Sequence, residues 1–459
     1  MIDAGLLDPL AQGGRALELT GDAVFLAAML DSELALSRAL VDTGLAPEWM
    51  AAVCDALAEP SVAGIDLATL AAESRAGGNP VIPLVRRLSA AAEELHAGAS
   101  DHLHLGATSQ DILDTAAMLV AREVCGEVLA GLRRLGEALA VLADRHRDTP
   151  MAGRTLGQHA APTAFGFVAA VWLDGVTAAV AAVAGVRAEL PLQSGGAVGT
   201  GEALEVAAAA RGGSADAVRA ALGDRLGLRV PPVAWHGNRA PVLALAAALA
   251  QAVAAVGVIA VDVALLARTE VGELAERAAP GAGGSSAMPH KRNPVTAVLV
   301  AATARRTPQL LASLYASALS DDQRPSGAWH AEWLPLRDLE RAAMAATAAT
   351  ADLVEGLEVH TERMAAGLEL TAGLVYSERA ASALTPAIGR RAAFALVERA
   401  SRAAAGGGRT LQAALGELLA DQSEAVRAAV RHAFLPGHPH SPAIDRVIAA
   451  FTALLPEES

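Results

Sequence analysis

Apolar residues recur at helical spacing along most of this chain. Between Asp22 and Thr43, Phe25, Leu26, Met29, Leu30, Leu34, Leu36 and Leu40 follow the three-to-four-residue step of an amphipathic helix. The same step predicts long helices over Leu113 to Arg147, Thr163 to Leu190, Pro241 to Ala278 and Val295 to about Leu319. Pro150 ends the first of these four, because proline removes a backbone donor and clashes with the preceding turn. After Val354 the helical pieces shorten, with breaks at Thr371–Gly373, Pro386–Gly389 and Gly406–Gly408. Alternating strand patterns are scarce, so the predicted fold class is all-α. Three parts follow: an N-terminal helical domain over residues 1–112, a central bundle of long helices over 113–355, and a C-terminal helical domain over 356–459.

Ala240 to Val261 carries no charge and is long enough for the roughly 20 residues a bilayer span needs. Alanine dominates it, Pro241 stands where a helix begins, and Asp262, Arg268, Glu270 and Glu273 follow in the same stretch. No aromatic belt flanks it; the chain has only 5 Trp and 2 Tyr. A helix apolar all round is either membrane-spanning or buried in a large assembly, and the second is expected here. Alanine lets long helices pack closely, so bundles from several chains are expected to cover one another.

Composition narrows the function. Apolar residues make up 53% and charged residues 19% of the 459, which excludes intrinsic disorder. A net charge of −14 argues against a nucleic-acid partner, which needs a basic face. Two cysteines, Cys54 and Cys125, cannot make a disulfide framework or a cysteine-rich zinc site. The start, Met1-Ile2-Asp3-Ala4, lacks the basic region of a signal peptide, and a cytoplasmic protein is expected. His102 and His104 lie two apart, which does not suit one face of a helix, and His438-Pro439-His440 reads as a structural loop; no metal site is expected.

Three polar segments interrupt the alanine-rich background. The first runs from His102 to Asp111 and includes Thr108 and Ser109, just before a long helix. Hydroxyls beside free backbone N–H groups at a helix start can hold an anion, or they can simply cap the helix, with Ser109 or Asp111 as cap. The second runs from Gly153 to Thr163 and carries Arg154, Thr155, Gln158 and His159. An imidazole titrating near neutrality can act as acid or base, or can serve structure alone. The third is Gly281 to Pro294. Glycines precede Ser285 and Ser286, and Lys291, Arg292 and Asn293 follow. A mobile loop that closes over a ligand can bring such donors to a serine, which is a poor base until its alkoxide is stabilised.

The stretch Gly284-Ser285-Ser286-Ala287-Met288-Pro289-His290-Lys291-Arg292-Asn293-Pro294 closely resembles the signature of the fumarase/aspartase superfamily. The first two segments resemble its other two signature regions, in the expected order. The resemblance implies a homotetramer with a central helix bundle from four chains and active sites shared between subunits. It implies cofactor-free addition or elimination beside a carboxylate of a small polycarboxylate, through an aci-carboxylate intermediate. By position, Ser285 matches the catalytic serine and His159 the second-region histidine. Lys291 and Asn293 match groups that stabilise the carboxylate, and Thr108, Ser109, Thr155 and Gln158 match substrate contacts.

The His-Lys-Arg form resembles the branch holding adenylosuccinate lyase and 3-carboxy-cis,cis-muconate cycloisomerase. Gly106-Ala107-Thr108-Ser109-Gln110-Asp111, Leu7-Asp8-Pro9-Leu10 and Gly327 to Trp333 resemble the cycloisomerase, as does Arg324. One position departs from many lyases. Where they carry a glutamate paired with the second-region histidine, this chain has Val298, and no acid occurs from Pro294 to Pro308. A lactonisation tolerates the loss, because its nucleophile is the substrate's own ionised carboxylate, already tethered. The rival is β-elimination from adenylosuccinate or a nitro- or amino-substituted succinate. A tricarboxylate needs several cations; Lys291, Arg324 and Arg154 are the candidates.

Overall fold

The computed structural model describes the chain except residues 1–5, 60, 62–63, 278–287, 289–290, 407, 436–440 and 456–459. Helices dominate, as the periodicity predicts. The long ones are α1 (Asp22–Asp42), α2 (Ser109–Arg145), α3 (Phe165–Ala188), α4 (Ala240–Leu266), α5 (Val295–Ser317) and α6 (Ala328–Glu355). Two antiparallel pairs of strands accompany them among the described residues: β1 (Pro150–Thr155) with β2 (Gln158–Ala164), and β3 (Leu274–Ala275) with β4 (Glu358–Val359).

The chain divides into two compact units. One comprises Met1–Leu132, Ala179–Ala254 and Ala302–Ala349; the other comprises Arg133–Ala178, Ala255–Ala301 and Thr350–Ser459. In the first, α1 packs on the helices Trp49–Leu57 and Ala215–Leu226, and Leu34, Leu40, Met50, Leu57, Leu84 and Met118 are fully buried. In the second, Leu135, Leu139, Phe165 and Phe451 are fully buried. There the Trp172 indole N–H on α3 donates to the Asp262 carboxylate on α4 at 2.8 Å, and burial raises the Asp262 carboxyl above its ordinary range. A smaller cluster, with Leu384, Val397, Leu411 and Leu415 at its centre, packs the short helices near the C-terminus.

Two predicted boundaries move. The helix expected to run from Pro241 to Ala278 stops at Leu266. The chain turns back there, with the Gly272 amide on the Arg268 carbonyl at 2.7 Å and the Glu273 amide on the Leu266 carbonyl at 2.9 Å. The turn carries Glu273 into a buried pocket of charge described below.

The second polar segment, read as a lead-in to a helix, is a hairpin. Its turn, Leu156-Gly157, has φ of +53° and +78°, which is the twist that two-residue hairpins favour. Leucine is an uncommon residue at positive φ, and it hid the hairpin from the sequence. Gly153 sits at the register shift between Ala152 and Arg154, where a Cβ would stand 2.5 Å from the Ala161 carbonyl oxygen.

Helices α3 and α4 are long and apolar enough to cross a membrane. Within this single chain a little over half of the most apolar part of α4 is buried.

Candidate active site

The first polar segment forms a corner in the first unit. Helix α2 starts at Ser109, so Thr108 precedes it and Asp111 lies in its first turn. The Asp111 carboxylate reaches back to the Thr108 amide at 3.0 Å, the carboxylate half of a capping box. It accepts three more hydrogen bonds: from the Gly195 and Gly196 amides, both at 2.8 Å, and from His236 Nε2 at 2.7 Å. Asp111 and His236 are each 2% exposed. The Thr108 hydroxyl accepts instead from Arg324 Nη1 at 2.9 Å. Arg324 Nε donates to Gln110 Oε1 at 3.3 Å, and Gln110 Nε2 donates to the His236 carbonyl at 3.1 Å. The structure brings Thr108 and Arg324 together, although they are far apart in the chain.

One turn further along α2, Asp114 anchors a second buried network. Arg239 grips the Asp114 carboxylate through both Nη atoms, at 2.8 and 3.0 Å, and grips Glu332 through Nε at 3.1 Å and through Nη2. The Trp329 indole also donates to Asp114 at 3.0 Å. Two carboxylates share one guanidinium. Burial pushes the Glu332 carboxyl up to about 7, against the pull of Arg239. Nearby, Glu33 accepts from His104 Nδ1 at 2.7 Å. Burial pulls the His104 imidazole down, but Glu33 outweighs it and holds its pKa above the ordinary value. An apolar cavity of about 330 Å³, lined by Phe25, Met29, Leu70, Met118 and Trp333, borders the Arg239 network. Its lining does not suit a polycarboxylate.

The second unit holds the other two segments. On the hairpin, Arg154 pairs with His159 in register, and Thr155 with Gln158. Thr155 and Gln158 are exposed, and Leu156 between them is 102% exposed. Arg154 is engaged within the chain: its two Nη atoms bind the Glu273 carboxylate at 2.9 and 2.6 Å, and Glu273 is 1% exposed. Nδ1 of His159 is buried and has no hydrogen-bond partner among the described residues.

Ser285, with the loop before Met288, lies outside the described residues, as do His290 and the His438–His440 segment. Lys291 is exposed and Asn293 half-buried just ahead of α5. Glu276 caps that helix, accepting from the Thr296 and Ala297 amides at 3.2 and 2.8 Å. Val298 is 53% exposed on the first turn. No group of three His, Cys, Asp or Glu side chains among the described residues is arranged to hold a metal ion.

The lyase family matches residues 27–308, more than half of the chain. The chain belongs to this family, within the fumarase/aspartase superfamily. A nitrosuccinate lyase from Streptomyces davaonensis is 46% identical over 412 residues, covering 90% of this chain and 86% of that protein. A 3-carboxy-cis,cis-muconate cycloisomerase from Pseudomonas aeruginosa is 41% identical over 390 residues, covering 85% and 83%. The crystal structure of the 3-carboxy-cis,cis-muconate lactonizing enzyme from Pseudomonas putida superposes with a TM-score of 0.87 at 33% identity, over 98% of this chain and 99% of that one. The superfamily and the helical fold read from the motifs are those found. The relatives divide on the reaction.

Sequence reasoning missed the hub role of Asp111 and did not single out Gln110, Asp114, His236 or Arg239. A signal existed for the aspartates: Asp111 and Asp114 are three apart and share a helix face. None existed for His236, whose partners lie more than a hundred residues away.

Proposed function

We propose that the chain catalyses the cycloisomerisation of 3-carboxy-cis,cis-muconate to 4-carboxymuconolactone. The observation that carries this reading is Val298. It stands where many lyases place a glutamate, and no acid occurs between Pro294 and Pro308. A reaction that needs no carboxylate at that position behind His159 fits this better than one that does. In lactonisation one substrate carboxylate forms the new C–O bond. The electron pair of the attacked double bond passes to the carbon alpha to another carboxylate and is held there as an aci-carboxylate. The Ser285 hydroxyl then returns a proton to that carbon and regains one from water. Lys291 and Asn293 stabilise the carboxylate that takes up the charge. Thr108, Ser109 and Arg324 bind a second carboxylate, and Thr155, Gln158 and His159 orient the substrate from the hairpin. Arg154 serves through Glu273, fixing the hairpin.

A specific observation favours a second reading, nitrite elimination from nitrosuccinate. The 46% relative carries that name, and pairing with Glu273 neutralises Arg154. Lys291 and Arg324 then remain as the motif cations, which matches two carboxylates better than three. Nitrite also leaves as a stable anion and needs no proton from His159.

The test is a side-by-side comparison of 3-carboxymuconate, nitrosuccinate and adenylosuccinate at equal enzyme concentration. A kcat/KM about tenfold higher for either succinate, roughly 1.4 kcal/mol in transition-state binding, overturns the cycloisomerase. Ser285→Ala should lower turnover by well over tenfold at unchanged Tm; retention of more than about a tenth of kcat removes Ser285 from the chemistry.

The exposed hairpin tip and the apolar helices support a homotetramer with shared sites. Mixing His159→Asn with Ser285→Ala chains, both nearly inactive alone, should restore activity in about a quarter of sites if the two residues come from different chains. No recovery in verified mixed tetramers assigns both to one chain, and a monomer by light scattering removes the assembly.

A further inference from the structure

Five residues in the first unit close a hydrogen-bonded circuit. His236 Nε2 donates to Asp111 Oδ1, and the Thr108 amide donates to Asp111 Oδ2. The Thr108 hydroxyl accepts from Arg324, Arg324 Nε donates to Gln110, and Gln110 donates back to the His236 carbonyl. His236 enters the circuit through both its ring and its backbone carbonyl, as Thr108 does through its amide and its hydroxyl. It belongs to none of the three sequence motifs.

We propose that His236 is a positioning residue for substrate binding, which sets the Thr108 hydroxyl and the Arg324 guanidinium in the geometry that receives a substrate carboxylate. The inference rests on the reading of Thr108 and Arg324 as substrate contacts. A guanidinium on a flexible stem loses side-chain entropy when it grips an anion, and holding it beforehand removes part of that cost. Two of Arg324's donors, Nε and Nη1, are spent on Gln110 and Thr108. Guanidinium carries five N–H donors, so the rest are left for a carboxylate.

The ring of His236 cannot turn freely to other work. A carboxylate only accepts, so Nε2 carries the proton. Nδ1 is buried and has no partner among the described residues. The ring lies against the glycine loop, with Nδ1 3.7 Å from where a Cβ on Gly199 would stand. The same Asp111 that accepts from His236 also binds the loop's Gly195 and Gly196 amides. Losing the imidazole N–H therefore loosens Asp111, and with it the start of α2 that presents Thr108.

The experiment uses the full-length enzyme and the substrate it turns over best, with tricarballylate as a non-reacting tricarboxylate probe in calorimetry. His236→Asn, whose amide is too short to reach Asp111, should raise KM and the tricarballylate Kd by about tenfold and change kcat by less than about threefold. His236→Gln places an N–H near the position of Nε2 and should return both constants to within about threefold of wild type. The double variant His236→Asn with Arg324→Ala should lose clearly less than the two single losses combined, because the histidine acts through the Thr108–Arg324 pair. Additive losses, or an unchanged KM in folded His236→Asn, overturn the proposal. So does a His236→Gln variant that folds with wild-type Tm yet binds as weakly as the asparagine. If Arg324→Ala itself leaves KM and the tricarballylate Kd unchanged, the underlying assignment of the substrate contacts fails instead.

Discussion

The corner around Asp111 and the hairpin carrying His159 are both polar segments set before long apolar helices, yet the chain treats them oppositely. In the corner, Asp111 and Gln110 are buried and each finds its partners within the same unit. On the hairpin, the base is tied down by Arg154 and Glu273, while Thr155, Leu156 and Gln158 stand in solvent. One segment is finished by its own chain. The other has a base held by an ion pair and a tip that its own chain leaves in solvent.

The largest effect should come from breaking the corner's neighbour. Arg239→Ala leaves Asp114 and Glu332 as two buried carboxylates without their cation, and should cost about 3–5 kcal/mol in chemical denaturation. Next comes Glu340, fully buried in the same unit, with both carboxylate oxygens lacking partners among the described residues. Burial pushes its pKa up to about 8, against Arg337 and Arg341. The folded chain keeps that proton where the unfolded chain, at an ordinary value near 4.5, has released it. Stability therefore falls as pH rises from about 4.5 to about 8, on the order of a few kcal/mol. Glu340→Gln should flatten that slope and raise Tm more at pH 8 than at pH 5; parallel Tm curves for the two proteins contradict the assignment.

Arg154→Ala should cost less, about 1.5–3 kcal/mol, because 27% of the arginine side chain is exposed and water can reach the vacated Glu273. A loss as large as that of Arg239→Ala would erase the distinction between the two regions. Smallest for the chain itself is Leu156→Ser, within about 0.5 kcal/mol, since the side chain touches little of its own fold. If the tip docks on another copy, the same change weakens assembly or raises KM in dilution-dependent assays. If it changes neither, the tip is idle.

The fold was largely legible because it rests on periodicity. The step that places Leu26, Met29, Leu30 and Leu34 on one face is local, and α1 has the bounds it predicts to within a residue. The hairpin was not legible. Its turn carries Leu156 in place of an asparagine or glycine, and its strands alternate weakly: Met151 and Ala152 are both buried. Of the candidate site, the Thr108–Asp111 segment stood out in the sequence because polar residues cluster there, and Arg324 stood out by resemblance. The candidate site was not legible in His236 or Arg239, whose roles exist only once distant segments meet. Nor did sequence show that Arg154 is bound by Glu273, because that carboxylate was assigned to the end of a helix that stops at Leu266 instead.

Helix α4 presents a sorting problem before it presents a structural one. Its 27 residues pass the length and hydropathy tests of a membrane span, and nascent-chain machinery reads little else. Val258 and Leu265 remain exposed within the folded chain, so folding alone does not withdraw the whole segment from water. If a second copy of the chain covers those side chains, the interval between synthesis and that burial is the segment's most exposed moment, and dilution that slows pairing should leave little soluble single chain.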